Sequence, residues 1–224
     1  MEKRVRVIVG VACAMLLCAR ASQAQTLNVT VDPTQNWIGY MNVFDLPSNG
    51  GGYEFGSAWG TSDLQASFSG ATLTLAPNIN CYNAGDTYWT NPDGSPNKNM
   101  AASMYVETAG YAGGPVNFSG LTLANTLVSP YTAVAFIDDF SPSYSLVNTI
   151  SASLVGGQQF SINLNITPGD VLQYGFITTG PDANPATVAS LGNAQVIAVP
   201  EPSSIALVLA GLSGLAMLLR KHRS

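Results

Sequence analysis

The chain has 224 residues, enough for one ordinary domain or two small ones, and its 8 Lys+Arg against 13 Asp+Glu leave a formal charge of −5. Seven of the basic residues sit near the two ends, so between positions 25 and 199 Lys98 alone faces nine Asp and two Glu, a net of −10. That distribution excludes nucleic-acid binding, which needs clustered Lys and Arg, and with the single histidine at His222 the middle of the chain has no imidazole for a triad, a proton shuttle or a zinc site.

The N-terminus opens on the basic stretch Met1-Glu2-Lys3-Arg4-Val5-Arg6, runs apolar from Val7 to Ala19, and ends on small residues at Ser22 and Ala24. This is the pattern of a secretory signal peptide over residues 1–24, cut by signal peptidase before Gln25 or, second, after Ala21. The apolar run is shorter than the about 20 residues a membrane span needs. Cys13 and Cys18 leave with it, so Cys81 stands alone in the exported chain, unable to form an intramolecular disulfide and expected to pack as a small hydrophobe.

Residues 25–198 read as one extracellular β domain. Few of its residues are charged, against roughly 25% in typical globular chains, so solubility falls to Asn, Ser, Thr and Gly. Ten segments alternate or run apolar at strand length: Leu27 to Val31, Trp37 to Phe44, Leu64 to Phe68, Ala71 to Leu75, Ser103 to Glu107, Leu121 to Leu127, Thr132 to Ile137, Thr149 to Leu154, Phe160 to Ile166 and Val171 to Thr178. Turn signals punctuate them at Gly50-Gly51-Gly52, Ser69-Gly70, Gly113-Gly114-Pro115, Gly156-Gly157 and Pro168-Gly169-Asp170. The expectation is an all-β fold, a single antiparallel β-sandwich of jelly-roll or immunoglobulin type.

The longest irregular stretch, Pro77 to Met100, holds Tyr82, Tyr88 and Trp89 among many Asn and Asp. A loop of that length inside a compact domain is usually functional or mobile. Aromatic faces beside amide groups suit sugar rings, so Trp89, Tyr88 and Tyr82 are the candidate ligand-binding residues, with Trp89 the best exposed. The domain calls for no cofactor. Calcium is the metal its hard oxygen donors suit, and Asp86, Asn91 and Asp93 are the candidate ligands, although Asx turns use the same residues. Carboxylates are the only ionisable groups in number, so a glycosidase would draw on Glu54, Glu107, Asp138 and Asp139. Asp138 and Asp139 are adjacent on a strand and point to opposite faces, so they do not pair, and no catalytic residue is assigned.

At the C-terminus Pro200-Glu201-Pro202 precedes the apolar stretch Ile205 to Leu219, and Arg220-Lys221-His222-Arg223 follows it. With Ser203 and Ser204 and snorkelling by Arg220, residues 203–219 make a short transmembrane helix whose basic tail, 220–224, stays cytoplasmic. This order of features resembles the PEP-CTERM sorting signal of bacterial surface proteins, here spanning 199–224 with its motif at Pro200, Glu201 and Pro202 and the membrane-flanking basic residues Arg220, Lys221 and Arg223. The resemblance implies export in a Gram-negative bacterium, transient anchoring in the inner membrane, and processing by exosortase. The stretches Asn36 to Phe44, Asn49 to Tyr53, Phe55 to Gly60, Leu127 to Tyr131 and Ala135 to Phe140 resemble a recurring module of unassigned activity in secreted and surface proteins. The combined expectation is a non-enzymatic surface or biofilm-matrix protein that associates with exopolysaccharide through its sandwich. The alternatives are a passive structural or adhesive coat protein without a glycan pocket and, behind it, a carboxylate-dependent glycosidase.

Overall fold

Period-two alternation is the simplest instruction in this chain, and the structure follows it. Along β10 (Gln159–Ile166) Phe160, Ile162, Leu164 and Ile166 are buried while Gln159, Ser161, Asn163 and Asn165 are exposed, so one face of the strand meets the core and the other meets water. The computed structural model describes residues 25–199. The expected signal peptide, and the motif, membrane helix and basic tail beyond Val199, lie outside the described residues.

Two six-stranded sheets pack face to face as a β-sandwich. In the first, β10 pairs with one edge of β7 (Gly114–Asn125), whose other edge takes β1 (Leu27–Thr30) in parallel and, further along, β12 (Ala194–Ile197). Next to β12 lie β5 (Thr72–Leu75) and β4 (Ala66–Ser69). The second sheet is antiparallel throughout, in the order β3 (Tyr53–Trp59), β2 (Ile38–Asp45), β6 (Lys98–Thr108), β11 (Val171–Pro181), β8 (Thr132–Phe140), β9 (Leu146–Ser153).

Four features depart from expectation. Strands β3 and β12 form where none was foreseen, β6 begins at Lys98 instead of Ser103, and β7 begins at Gly114 instead of Leu121. Gly113 takes the turn at φ +84°, and the strand starts immediately after it. A polar run hides the start of β6: Asn97, Lys98 and Asn99 carry little apolar signal, yet Lys98 and Asn99 pair with Asp45 and Phe44.

The core lies between the sheets. Phe118 from the first sheet is fully buried and meets Phe160 at 5.2 Å, Tyr174 at 5.2 Å and Phe176 at 5.3 Å between ring centroids. These tilted and edge-to-face contacts are the geometries aromatic rings prefer. Trp37 covers the cluster, stacking on Phe176, while its indole N–H donates to the Asp32 carbonyl at 2.8 Å. With this core filled by both inner faces, a ligand site has to be built on an outer face or from loops.

Candidate functional site

The loop between β5 and β6 is where aromatic and acidic residues concentrate in the sequence, and its side chains are largely occupied with each other. Trp89, expected as an exposed stacking face, is corrected: it is half-buried against the core, edge-on to Tyr88 at 4.8 Å and to Phe55 at 6.2 Å. Through Phe55 it packs on the β3 edge of the second sheet. Tyr82 is half-buried, donates its hydroxyl to the Gly94 carbonyl and accepts from Asn184. Tyr88 remains exposed on one side, and the Lys98 ammonium sits 4.4 Å from its ring centroid.

The three candidate calcium ligands each close a local turn. Asp86 Oδ1 accepts from the Tyr88 amide, Asp93 Oδ1 from the amide and hydroxyl of Ser95, and the Asn91 amide group donates to Ser95 Oγ and the Pro96 carbonyl. These bonds hold the Asp93 carboxyl below its ordinary range, the Ser95 hydroxyl first and the Ser95 amide second. Among the described residues no three His, Cys, Asp or Glu gather as a metal cluster.

Lys98 is the loop's anchor. It is buried, and its Nζ donates to Asp45 at 2.6 Å and to Glu54 at 3.1 Å. Burial works against its charge, but the two carboxylates outweigh burial and hold the ammonium above its ordinary range. Lys98→Met leaves both carboxylates unpaired and removes the cation from the Tyr88 face. The expected loss is about 2 kcal/mol, below the figure for a deep ion pair because the carboxylates are partly exposed, and urea unfolding followed by tryptophan fluorescence measures it.

The outer face of the second sheet carries a groove of about 550 Å³. Alternation explains its lining: while Met41, Val43, Met104 and Val106 face the core, their neighbours Tyr40, Asn42, Ser103, Tyr105 and Glu107 face out. Strand pairing then aligns them in rows across the sheet. One row runs Tyr40, Ser103, Ile177, Val134; the next Ile38, Tyr105, Gly175, Phe136; the third Glu107, Gln173, Asp138, Thr149.

Two glycines shape this surface by close approach. A Cβ on Gly56 would lie 2.6 Å from both the Tyr40 ring and the Asn42 side-chain oxygen, so glycine lets the Tyr40 ring lean over β3 and wall the groove. Gly175 lets Tyr105 and Phe136 approach across it, their rings 6.5 Å apart. The opposite wall is Phe140 and Tyr144. Tyr144, in the turn between β8 and β9, holds φ +60°, a left-handed conformation that side chains disfavour. Its ring is 57% exposed and its hydroxyl donates to Glu107 Oε1 at 2.9 Å, spanning from the β8–β9 turn across β11 to β6.

Polar groups are fixed around these rings. Gln173 donates to Glu107 Oε2 at 2.7 Å, so both oxygens of Glu107 are engaged. Burial pushes the Asp138 carboxyl up, and a hydrogen bond from the Thr149 hydroxyl offsets part of that. The Tyr105 phenol is pushed up to about 12, by burial first and the Glu107 charge second, so it stays neutral and able to donate. Beyond Asn42 the face opens into a second depression of about 500 Å³ lined by Phe44, Asn99, Ala101 and Thr179, which extends the groove along β6.

Of the four candidate glycosidase carboxylates, Glu107 and Asp138 share the groove face with Gln173 between them, Glu107 engaged by Tyr144 and Gln173, while Glu54 pairs with Lys98 and Asp139 points inward as alternation requires. Cys81 is half-buried, its thiol pushed up to about 12 by burial and then by the Asp182 charge, which removes it as a nucleophile at neutral pH. Sequence alone points to Asp138 and Glu107 as carboxylates and to Tyr40 as one of several aromatics, and it does not point to Tyr105, Phe136, Phe140 or Tyr144. The signal that finds them is an aromatic on the polar face of an alternating strand: Tyr40 beside Met41, Tyr105 beside Met104.

Comparison with known proteins places residues 198–224 in the PEP-CTERM protein-sorting motif. The chain is therefore an exported surface protein, anchored in the membrane before processing, with exosortase as the processing partner the motif implies. No curated protein matches the chain. Among solved structures, TmCBM61 in complex with beta-1,4-galactotriose is similar at 8% identity and a TM-score of 0.34, over 75% of this chain and 86% of that one.

Proposed function

We propose that the exported domain is a non-enzymatic glycan-binding module that holds an extended, neutral polysaccharide in the groove on the outer face of the second sheet. The observation that carries this reading is the lining itself: Tyr40, Tyr105, Phe136, Phe140 and Tyr144 offer apolar ring faces, while Asn42, Gln173 and Asp138 supply oriented polar groups. The depression beyond Asn42 lengthens the track, since the eight-residue step from Asn99 to Glu107 along β6 spans about 26 Å, room for several sugar rings in a row. Charge selects the ligand class. Glu107 and Asp138 bracket one end of the groove, and Lys98, the single cation of the domain, is committed to Asp45 and Glu54, so a uronate-rich chain meets repulsion with nothing to offset it. Tyr144 and Gln173 each donate to one Glu107 oxygen, which fixes Glu107 as an oriented acceptor at that end of the groove. Association with exopolysaccharide at the cell surface is the setting this reading assigns to the exported chain.

Affinity electrophoresis against a panel of neutral and acidic polysaccharides tests it. Retardation by neutral polymers is expected, weakened at least tenfold in Tyr40→Ala and Tyr144→Ala and unchanged within about twofold in Trp89→Ala, provided each variant is folded; the tenfold figure is about 1.4 kcal/mol, within the range of one lost stacking contact. Binding that follows Trp89 and ignores Tyr40 would return the site to the long loop. Release of reducing sugar would end the non-enzymatic reading, and no retardation by any polymer would leave the coat-protein alternative standing.

A further inference from the structure

We propose that Tyr144 closes the groove at its Glu107 end, so that the site takes the terminal sugar of a neutral glycan while the rest of the chain leaves towards Asn99, an inference that rests on the groove binding glycan at all. Strands β6 and β8 both pair antiparallel with β11 and so run the same way, which puts the β8–β9 turn at the end of β6 where Glu107 lies. From that turn the Tyr144 hydroxyl reaches Glu107 Oε1 at 2.9 Å, crossing the row in which Asp138 on β8 and Gln173 on β11 lie. The bridge covers two strand spacings, about 10 Å. It is braced on both sides: Gln173 holds the other Glu107 oxygen at 2.7 Å, and the Phe140 ring lies 6.4 Å from the Tyr144 ring. Val171, next after Gln173 on the outward face and paired with Phe140, is only 3% exposed, so the face is covered at this end. At the opposite end it opens into the depression at Phe44, Asn99 and Thr179.

The closed end keeps polar groups that the protein itself does not use. Gln173 is 8% exposed and turns its side-chain N–H to Glu107, since a carboxylate takes a donor. Its Oε1 is left in the groove lining with no hydrogen bond from any described residue. The Tyr105 hydroxyl, one row away and close enough to feel the Glu107 charge, also has no partner among the described residues. Asp138 takes the Thr149 hydroxyl on Oδ1 and keeps Oδ2. One donor and two acceptors thus remain beside the bridge. A terminal sugar differs from an internal one by a free hydroxyl where the next glycosidic bond would be, and a hydroxyl both donates and accepts, which matches this set. An internal sugar placed there would have to carry its next residue through the Tyr144–Glu107 bond.

Calorimetric titration of the purified protein with linear neutral glucan, galactan and mannan, each in a short and a roughly tenfold longer grade, counts the proteins bound per chain. For a polymer that binds, about one protein per chain is expected at both lengths, because a linear chain offers one end of the right kind. In Tyr144→Ala, read at correspondingly higher polymer concentration, the count should rise about tenfold from the short to the long grade, since the opened groove lets the chain run through. Tyr144 is exposed in a turn, so the substitution leaves the core as it was, and an unchanged unfolding midpoint checks this. A count that already scales with length in the unmodified protein would overturn the closed end and leave the glycan-binding groove standing. So would one protein per chain persisting in Tyr144→Ala. No binding heat with any of the polymers, from protein shown to be folded, would overturn the groove and its closed end together.

Discussion

Asp182→Asn is expected to make the protein more stable at pH 8 and to remove much of the decline in stability between about pH 4 and pH 7. Asp182 is fully buried directly after β11, and its carboxylate oxygens have no well-formed hydrogen bond, only a weak approach from the Cys81 amide. Burial pushes its carboxyl up to about 7 from an ordinary 3.8, with the Cys81 amide pulling weakly the other way. The groups its charge acts on are the Cys81 thiol and the Tyr131 phenol, so a single proton neutralises it. The native state therefore holds a proton that the unfolded chain has already released between about pH 4 and pH 7, and stability falls as pH rises through that window. Above pH 7 both states are ionised and the full penalty of the buried charge is present. A shift of this size corresponds to a few kcal/mol, from which the cost of burying an incompletely bonded amide is subtracted, leaving a net gain of about 1–3 kcal/mol for the variant at pH 8. Urea midpoints of both proteins measured from pH 4 to pH 8 check this, since the other carboxylates cancel in the difference. Parallel curves would show that Asp182 is not the group that titrates.

Much of the fold is legible because alternation is a local signal. The β10 pattern can be read from the seven residues Phe160 to Ile166 without knowing what they pack against, whereas its pairing and register with β7 come only from the fold. Features set by partners distant in sequence carry no such local signal. In β3, Tyr53 to Trp59 looks like a glycine-interrupted aromatic stretch, yet Gly56 is a strand residue whose missing side chain makes space for Tyr40. Trp89 sits among polar neighbours and looks solvent-facing, but Phe55 from β3 covers one of its edges. The groove was illegible for the same reason. Its walls come from β2, β6, β8 and the β8–β9 turn, and only strand order brings Tyr40, Tyr105, Phe136 and Tyr144 to one face. Asp182 resembles any loop carboxylate after a proline until tertiary burial raises it to about 7.

Gly175→Ala should cost the protein both stability and its groove. Gly175 pairs with Tyr105 on one side and Phe136 on the other, at the centre of the second sheet. A Cβ there would stand 2.1 Å from the Met104 carbonyl oxygen and 2.6 Å from the Tyr105 Cα. Both are backbone atoms, so no rotamer change relieves the clash and β11 must move away from β6. Overpacking of this kind costs about 1–3 kcal/mol where side chains can yield, and the upper end or more is expected where they cannot. The displacement also reaches the Tyr105 and Phe136 rings that meet across this glycine, so glycan retardation should disappear. A control separates the two effects: Phe118→Ala removes the central core ring at about 3–5 kcal/mol while leaving the outer face as it was. Under conditions where both variants remain folded, Phe118→Ala should still bind polysaccharide and Gly175→Ala should not. If Gly175→Ala binds as well as the unmodified protein, the contacts that hold the sugar lie away from the Tyr105–Gly175–Phe136 row, towards Phe44 and Asn99. The glycine would then serve sheet packing alone.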